Sequence, residues 1–272
     1  MPQAPQTLNT FESLIEIIAA LRGPDGCPWD IQQTHMSLAP YAIEEVFEMT
    51  EAIESQNDSH LCEELGDVLF QVILHAAVAA ERGAFNIFEV INGINSKVIR
   101  RHPHVFANLK VSGSAEVLAN WDEIKRQEKL TSSKKSSHVI DVPTEMPALQ
   151  RAHKIGEKTK KLQFDWSEAH QVLAHLKSEI KELEEVMDGS DIEKISHEIG
   201  DVIFSAAQLS RHLNVEPEQA LRETNRRFLR RFDQMLELGS VAPQQFVELS
   251  AAAKENLWNK AKLTEKSASI KV

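Results

Sequence analysis

The sequence predicts an all-α protein made of two tandem helical-bundle domains that are joined by a flexible linker. Its 272 residues contain only 10 Gly, 10 Pro and one Tyr, which is typical of a mostly helical chain. A set of four carboxylates also recurs at the same spacing, 134 residues further along the chain. The first acidic quartet is Glu45, Glu48, Glu64 and Asp67, and the second acidic quartet is Glu179, Glu182, Glu198 and Asp201.

The first half of the chain has apolar residues at helical spacing in five segments, at residues 8–21, 38–53, 61–81, 85–101 and 115–127. The first segment is followed by residues 23–26, which combine a helix-ending glycine with turn residues. The fourth segment ends at His102, because the residue before a proline disfavours helical backbone geometry. We therefore expect a first helical domain over residues 1–128.

Residues 127–147 lose this periodicity and are rich in Ser, Lys and Thr, which is the composition of a solvated linker. We place the linker at residues 129–146. Helical spacing returns at residues 148–161, 169–187, 192–213, 217–238 and 246–262. The sequence thus predicts a second helical domain over residues 147–264 and a frayed tail over residues 265–272.

The correspondence between the two halves extends beyond the acids. The segment 65–68 matches 199–202 at the offset of the quartets, with a glycine at the same place in both. At an offset of 130, Asn95, Lys97, Arg100 and Arg101 match Asn225, Arg227, Arg230 and Arg231. At an offset of 137, Trp121 and Lys125 match Trp258 and Lys262. These small changes of offset place the length differences in loops.

The chemistry of the two quartets favours a metal site. Residues three apart lie on the same face of a helix, so two helices can bring four carboxylates together. Converging carboxylates repel one another unless a cation lies between them. Glu64 and Glu198 each interrupt an apolar stripe, and burying an unpaired carboxylate is costly. An interior salt-bridge network is the alternative for any single acid, but the duplication favours a hard cation, Mg²⁺ or in its place Mn²⁺.

Basic and aromatic residues follow each quartet. Arg227 and Arg231 are four residues apart, so one helix face can offer both to the oxygens of a polyphosphate. The alternative is a solvated basic face that forms surface ion pairs in an acidic protein. Trp121 and Trp258 are candidates for stacking on a base or sugar, although a lone helical tryptophan more often packs in a core.

The net charge of −11 argues against a nucleic-acid partner, because it repels a phosphate backbone at long range. Cys27 and Cys62 lack zinc-ligand spacing and imply no disulfide framework. The N-terminal residues do not resemble a signal peptide, and the longest apolar stretch, residues 68–80, is too short to span a membrane. We therefore expect a cytoplasmic protein without membrane contact.

Several short motifs in these segments carry a resemblance to a known family. They are Gly26-Cys27-Pro28-Trp29-Asp30 with Gln33-Thr34, the acidic segments 44–48 and 64–67, the segment 100–106, and Phe164-Asp165-Trp166. Across nearly its whole length, the chain resembles the MazG family of nucleoside triphosphate pyrophosphohydrolases, which belongs to the all-α NTP pyrophosphatase superfamily.

The resemblance implies Mg²⁺-dependent hydrolysis of NTPs and dNTPs, with broad base tolerance. Water would attack the α-phosphorus and give the monophosphate and pyrophosphate. The resemblance also implies that the second acidic quartet holds the metal and is catalytic, with one of its acids accepting a proton from the water. By analogy with the superfamily we expect a homodimer. The residues implied to bind the nucleotide are Lys194, Arg227, Arg230, Arg231, Trp258 and Lys262.

The role of the first repeat stays open at this stage. It retains its acidic quartet together with Lys97, Arg101, Trp121 and Lys125, so it is a second active site or a binding and regulatory copy. We place catalysis in the second repeat, because the resemblance puts the nucleotide site there and His60 stands where the second repeat has Lys194. Two alternatives for the whole protein are a non-catalytic acidic interaction protein and a pyrophosphohydrolase restricted to one modified nucleotide.

Overall fold

The computed structural model describes residues 2–131, 139–240 and 243–269. Within these ranges every regular element is a helix, which confirms the predicted all-α class. None of the described helices is both long enough and apolar enough to cross a membrane. Two compact units make up the chain, Met1–Lys134 and Lys135–Val272. The predicted domain limits at 128, 146 and 264 and the flexibility of the linker stay predictions, and residues 132–138 and 270–272 lie outside the described part.

The first unit contains the five predicted helices and two short ones. The sequence did not predict α2 and α6, because one turn of helix is too short to show periodicity; both begin at a proline, which suits the first turn. Asn86 accepts hydrogen bonds from the amides of Phe88 and Glu89, so α5 begins at Ile87 rather than Phe85. The helices are α1 Phe11–Arg22, α2 Pro28–Gln32, α3 His35–Glu54, α4 Asp58–Glu81, α5 Ile87–Arg101, α6 Pro103–Phe106 and α7 Ser114–Thr131.

The core of the first unit surrounds α4. Helices α3 and α4 form a hairpin across residues 55–57, and α1 and α5 pack against α4. The C-terminal half of α4 carries the buried residues Ile73 and Leu74, which join Ile18, Leu38 and Ile87 in one apolar cluster. The N-terminal half of α4 carries polar residues opposite α3, and Glu64 is one of them.

The second unit contains the other five predicted helices and one short helix, α12. The predicted helix from residue 246 starts too early. Phe246 ends α12, and α13 begins at Ala251 because Ser250 Oγ accepts a hydrogen bond from the Ala253 amide. The helices are α8 Ala148–Lys161, α9 Ala169–Val186, α10 Ile192–His212, α11 Pro217–Gly239, α12 Pro243–Phe246 and α13 Ala251–Ser269.

The second unit is also organised around a hairpin, formed by α9 and α10, but its interior is more polar. Helix α8 packs against α10, and α11 contacts both α8 and α13. Gln208 and Arg211 on α10 are buried. Gln208 Nε2 donates to the carbonyl of Ala152 at 2.7 Å, and Arg211 Nε donates to Gln208 Oε1 at 2.9 Å. These bonds tie α8 to α10 and satisfy polar groups that would otherwise destabilise the interior.

Candidate functional site

The first acidic quartet converges between α3 and α4. Glu45 and Glu48 on α3 and Glu64 on α4 each offer a carboxylate oxygen within 4.8 Å of the others. Glu64 is only 5% exposed. Its Oε2 is buried and has no hydrogen-bond partner among the described residues. A buried carboxylate oxygen without a partner is costly, so this atom marks a place where a cation or a water is expected.

Electrostatic strain in the first quartet is visible at Glu45. Burial raises the pKa of Glu45, and the nearby charges of Asp67, Glu48 and Glu64 raise it further, while a hydrogen bond from Gln71 acts in the opposite direction. Because the charge of Asp67 acts on Glu45, the fourth acid lies near this cluster. A divalent cation among these groups would reverse the repulsion.

The second acidic quartet converges between α9 and α10. Glu179, Glu182 and Glu198 offer oxygens within 4.8 Å of one another. Glu198 also belongs to a second group with Asp201 and His197, held within the same distance. Glu198 is common to both groups, so it is the shared acid between Glu179 and Glu182 in one group and Asp201 in the other. The convergence follows from the hairpin, because the acids of α9 and the acids of α10 are each three residues apart and so share one helix face.

Histidines beside the acids are the feature that sequence reasoning missed. His60 Nε2 lies 2.8 Å from Glu64 Oε1, and His175 Nε2 lies 3.1 Å from Glu179 Oε1. His197 Nδ1 lies 3.0 Å from Asp201 Oδ2, so a ring nitrogen stands beside the carboxylates of the second quartet. These contacts were predictable in principle, because each histidine precedes its acid by four residues and residues four apart are neighbours on a helix.

The predicted ligands therefore fit a divalent cation. Both quartets supply several carboxylate oxygens to one point, and the first contains a buried oxygen that is left without a partner within the described ranges. Hard cations prefer such oxygen ligands. The histidines are placed to orient carboxylates in the way that outer-shell groups do at metal sites.

The predicted nucleotide-binding residues of α11 and α13 form a second cluster. Arg231 Nε lies 2.6 Å from Glu265 Oε2, and Arg230 also reaches Glu265, at 3.4 Å. The Arg231 guanidinium lies 5.8 Å from the centre of the Trp258 ring, and Phe228 packs against that ring at 5.2 Å. The structure thus brings Arg230, Arg231 and Trp258 together. Glu265 is a partner that sequence reasoning missed.

The other predicted cations make weaker contacts. Arg227 donates to Thr224 Oγ1 at 3.1 Å, and Lys194 Nζ lies 3.9 Å from Asp191 Oδ2. Within the described ranges, the hydrogen bonds and ion pairs of Lys194, Arg227, Arg230 and Arg231 go to Asp191, Thr224, Glu223 and Glu265 rather than to an acid of the second quartet.

The first unit repeats this basic cluster. Arg100 and Arg101 both pair with Glu128, each at 2.6 Å. Lys125 Nζ lies 4.5 Å from the centre of the Trp121 ring. Glu128 matches Glu265 at the same offset that relates Trp121 to Trp258. This repetition could have identified both glutamates from the sequence. The surface ion pairs considered as the alternative for the basic residues are therefore present in both repeats.

A comparison with known protein families gives two matches in this chain. The model of the MazG nucleotide pyrophosphohydrolase domain matches residues 33–106 and residues 167–235. The chain belongs to the MazG nucleotide pyrophosphohydrolase family. Each match contains one acidic quartet, so the duplication visible in the sequence is a tandem repeat of this domain. The predicted family, the predicted class of enzyme and the predicted tandem repeat of helical domains are thereby confirmed.

Relatives of the MazG family resemble this chain over most of its length. The "Nucleoside triphosphate pyrophosphohydrolase/pyrophosphatase MazG" of Thermotoga maritima is 45% identical over 93% of this chain and 95% of its own. The "Nucleoside triphosphate pyrophosphohydrolase" of Escherichia coli K12 is 36% identical over 95% of this chain and 99% of its own. The "Uncharacterized protein YabN" of Bacillus subtilis is 43% identical over 95% of this chain, which spans only 53% of that relative.

Proposed function

We propose that this protein hydrolyses NTPs and dNTPs, with broad base tolerance, to the monophosphate and pyrophosphate. The observation that carries the proposal is the convergence of the second acidic quartet within a MazG domain match. The names of the Thermotoga and Escherichia relatives support the same reaction. The second repeat is the one to which we assign catalysis.

Glu179, Glu182, Glu198 and Asp201 are the residues that we propose to hold Mg²⁺. When bound, the ion polarises phosphate oxygens and lowers the pKa of the attacking water. His175 and His197 contact Glu179 and Asp201 at 3.1 Å and 3.0 Å, so they restrict how these carboxylates turn. Mn²⁺, which also accepts oxygen ligands, is expected to replace Mg²⁺.

In the proposed reaction, water attacks the α-phosphorus and a carboxylate oxygen of the second quartet accepts its proton. The bond from the α-phosphorus to the oxygen that bridges the α- and β-phosphates breaks, and pyrophosphate leaves with that oxygen. Negative charge grows on the leaving group, so fixed cations near it lower the barrier. The cations proposed for this role are Lys194, Arg227, Arg230, Arg231 and Lys262, with Trp258 at the nucleotide.

One of the differences between the two repeats lies at position 60, next to the acids of the first. His60 replaces Lys194 and holds Glu64 Oε1 at 2.8 Å, whereas Lys194 points to Asp191. A phosphate-binding cation is thus replaced by a group that contacts a candidate metal ligand. This difference supports the second repeat as the catalytic one, with the first repeat as a second nucleotide site or a regulatory copy that uses Lys97, Arg101, Trp121 and Lys125.

We further propose that the protein is a homodimer. The hairpin helices that carry the acids also expose large apolar side chains, among them Phe47 and Leu65 in the first unit and Ile199 and Ile203 in the second. Apart from the chain neighbours and the backbone of the same helix, no described atom lies within 4 Å of the position that a Cβ would take at Gly66 or Gly200. Apolar surface beside open helix faces favours packing by a second copy. A monomeric mass in light scattering would contradict this.

The test of the proposed function is product analysis by ion-exchange chromatography. Purified protein is incubated with each common NTP and dNTP, first with Mg²⁺ and then with EDTA. We expect monophosphate and pyrophosphate only with Mg²⁺ and with every base. Diphosphate and phosphate would move the attack to the γ-phosphorus. One reactive nucleotide would favour the narrow enzyme, and no product with any nucleotide would favour the interaction protein.

The proposed setting is the cytoplasm, with nucleotides rather than nucleic acid as partners. Cys27 and Cys62 are both free thiols, which suits a reducing compartment. The acidic net charge disfavours a nucleic-acid partner.

A further inference from the structure

The second unit contains a cavity that none of the predicted site residues lines. Its volume is about 410 Å³, and it lies between α8, α10 and the loop that joins α8 to α9. Its walls are mostly apolar and include three aromatic rings, those of Phe164, Trp166 and Phe204. Cavities of this size and character are typical of sites for small molecules.

The cavity lies next to the second acidic quartet. Phe204 follows Asp201 by three residues on α10, so both side chains lie on one helix face about one turn apart. On the other side, the Trp166 ring lies 5.3 Å from the His175 ring, and His175 contacts Glu179. Asp201 thus lies about one helical turn from the cavity wall, and Glu179 is linked to that wall through His175.

The charged and amide groups at the floor of the cavity, Arg211, Asp165 and Gln208, are paired inside the protein. Arg211 donates two hydrogen bonds to Asp165, at 2.9 Å and 2.6 Å, and His212 Nε2 lies 3.0 Å from Asp165 Oδ1. Gln208 bonds to Ala152 and to Arg211. Because Arg211, Asp165 and Gln208 are bonded to protein groups, their main role is to hold the shape of the cavity.

One aromatic side chain stands at the rim of the cavity. Phe164 is 80% exposed. The preceding residue, Gln163, has a φ of 60°, in the left-handed region that is uncommon for residues other than glycine. This turn presents a large apolar ring to solvent at the mouth of an apolar cavity. Such an arrangement suits a flat apolar group that stacks on entry.

We propose that this cavity binds the nucleobase of the substrate by stacking, with Phe164 as the rim contact. The inference rests on the proposed function and extends it, because it says where base tolerance comes from. Stacking on aromatic rings accepts every base, since each has a π-face, whereas edge hydrogen bonds would select one. The aromatic walls, above a floor whose Arg211, Asp165 and Gln208 are paired with protein groups, therefore favour binding of any base by stacking.

The test substitutes Phe164→Ala, with Leu162→Ala as the matched control. Leu162 is 56% exposed and does not line the cavity. KM and kcat are measured for ATP and CTP with Mg²⁺, and inorganic tripolyphosphate is measured as a competitive inhibitor. We expect Phe164→Ala to raise both KM values about tenfold, the scale of a lost base–aromatic stack. The inhibition constant of tripolyphosphate, which has no base, and all values for Leu162→Ala should not change.

Unchanged KM values in Phe164→Ala would overturn the proposal. An equal weakening of tripolyphosphate would also overturn it, because the effect would then not belong to the base. If the wild-type protein releases no pyrophosphate from any nucleotide, the proposed function fails separately. Isothermal titration of wild type and Phe164→Ala with AMP then tests whether the cavity binds a base. About tenfold weaker binding in the variant supports base binding in the cavity, and equal or absent binding contradicts it.

Discussion

Arg231 and Glu265 form an ion pair in the second unit, with 2.6 Å between Arg231 Nε and Glu265 Oε2. Arg101 and Glu128 form the corresponding pair in the first unit, also at 2.6 Å. The hydrogen bond from Arg231 lowers the pKa of Glu265, so this carboxylate is ionised at neutral pH. An arginine proposed to bind phosphate is therefore already bound to an internal anion, which substrate has to replace.

Removing the charge of Glu265 is expected to improve nucleotide binding. In Glu265→Gln, Arg231 loses its charged competitor and one negative charge leaves the vicinity of the phosphates. We expect KM for ATP to fall about two- to fivefold, the scale of an exposed ion pair. The control is Glu255→Gln, an exposed acid on the same helix. A raised KM would show instead that Glu265 positions Arg231 for the substrate.

The two acidic quartets are expected to contribute unequally to turnover. Glu198→Ala removes the acid that links both groups of candidate ligands in the second unit. We expect steady-state assays to show a kcat reduced about 100-fold or more, as for loss of charge stabilisation in a transition state. Glu64→Ala, at the matching position of the first repeat, should keep most activity. The reverse pattern would move catalysis to the first repeat.

Mg²⁺ is expected to stabilise the folded protein. Burial and the charges of neighbouring acids raise the pKa of Glu45, which shows that the ionised cluster costs stability when no cation is present. At a free Mg²⁺ concentration 100-fold above its Kd, binding should add about 2.7 kcal/mol to the free energy of unfolding. Differential scanning calorimetry with Mg²⁺ and with EDTA measures this. An unchanged Tm would argue against metal binding in either quartet.

Gly156 is expected to tolerate no side chain. A Cβ at this position would overlap Gln208 Oε1 and Arg211 Nε, both of which are buried. We expect Gly156→Ala to lower the free energy of unfolding by about 1–3 kcal/mol, the scale of overpacking. Gly93→Ala on α5 is the control, because nothing lies within 4 Å of its Cβ among the described residues, and it should stabilise by up to about 1 kcal/mol. Urea unfolding distinguishes the two.

Asp165 is expected to make the free energy of unfolding depend on pH under acidic conditions. Burial alone would raise the pKa of Asp165, but hydrogen bonds and charges from Arg211 and His212 outweigh it and lower the pKa to about 2. The folded state therefore keeps this carboxylate ionised at pH values where the unfolded chain, with an ordinary pKa of 3.8, takes up a proton. Its contribution is complete above pH 3.8 and is lost as the pH falls toward 2.

The comparison of wild type with Asp165→Asn isolates this contribution from that of the other acids. The difference in free energy of unfolding between them should be constant from about pH 7 to pH 5 and should shrink toward pH 2. Chemical denaturation at a series of pH values measures it. A difference that stays constant down to the lowest pH would show that the ion pair with Arg211 does not stabilise the fold.

Much of the architecture was predictable because it depends on local patterns. The spacing of apolar residues located ten helices, and missed three that are only four or five residues long. The ExxE and ExxD spacing predicted two faces of paired acids. A short connection packs the two helices of a hairpin side by side, so their acidic faces meet, as Glu45 and Glu64 do.

The sequence by itself determined the helical class, the duplication and the identity of the acids, because helix periodicity and repetition are properties of neighbouring residues along the chain. Only the tertiary structure decided the partners of the other side chains. Arg231 meets Glu265, and Arg211 meets Asp165, across separations of 34 and 46 residues. The cavity beside Phe164 likewise needs α8, α10 and a loop together. Contacts between distant segments depend on packing, which local spacing does not encode.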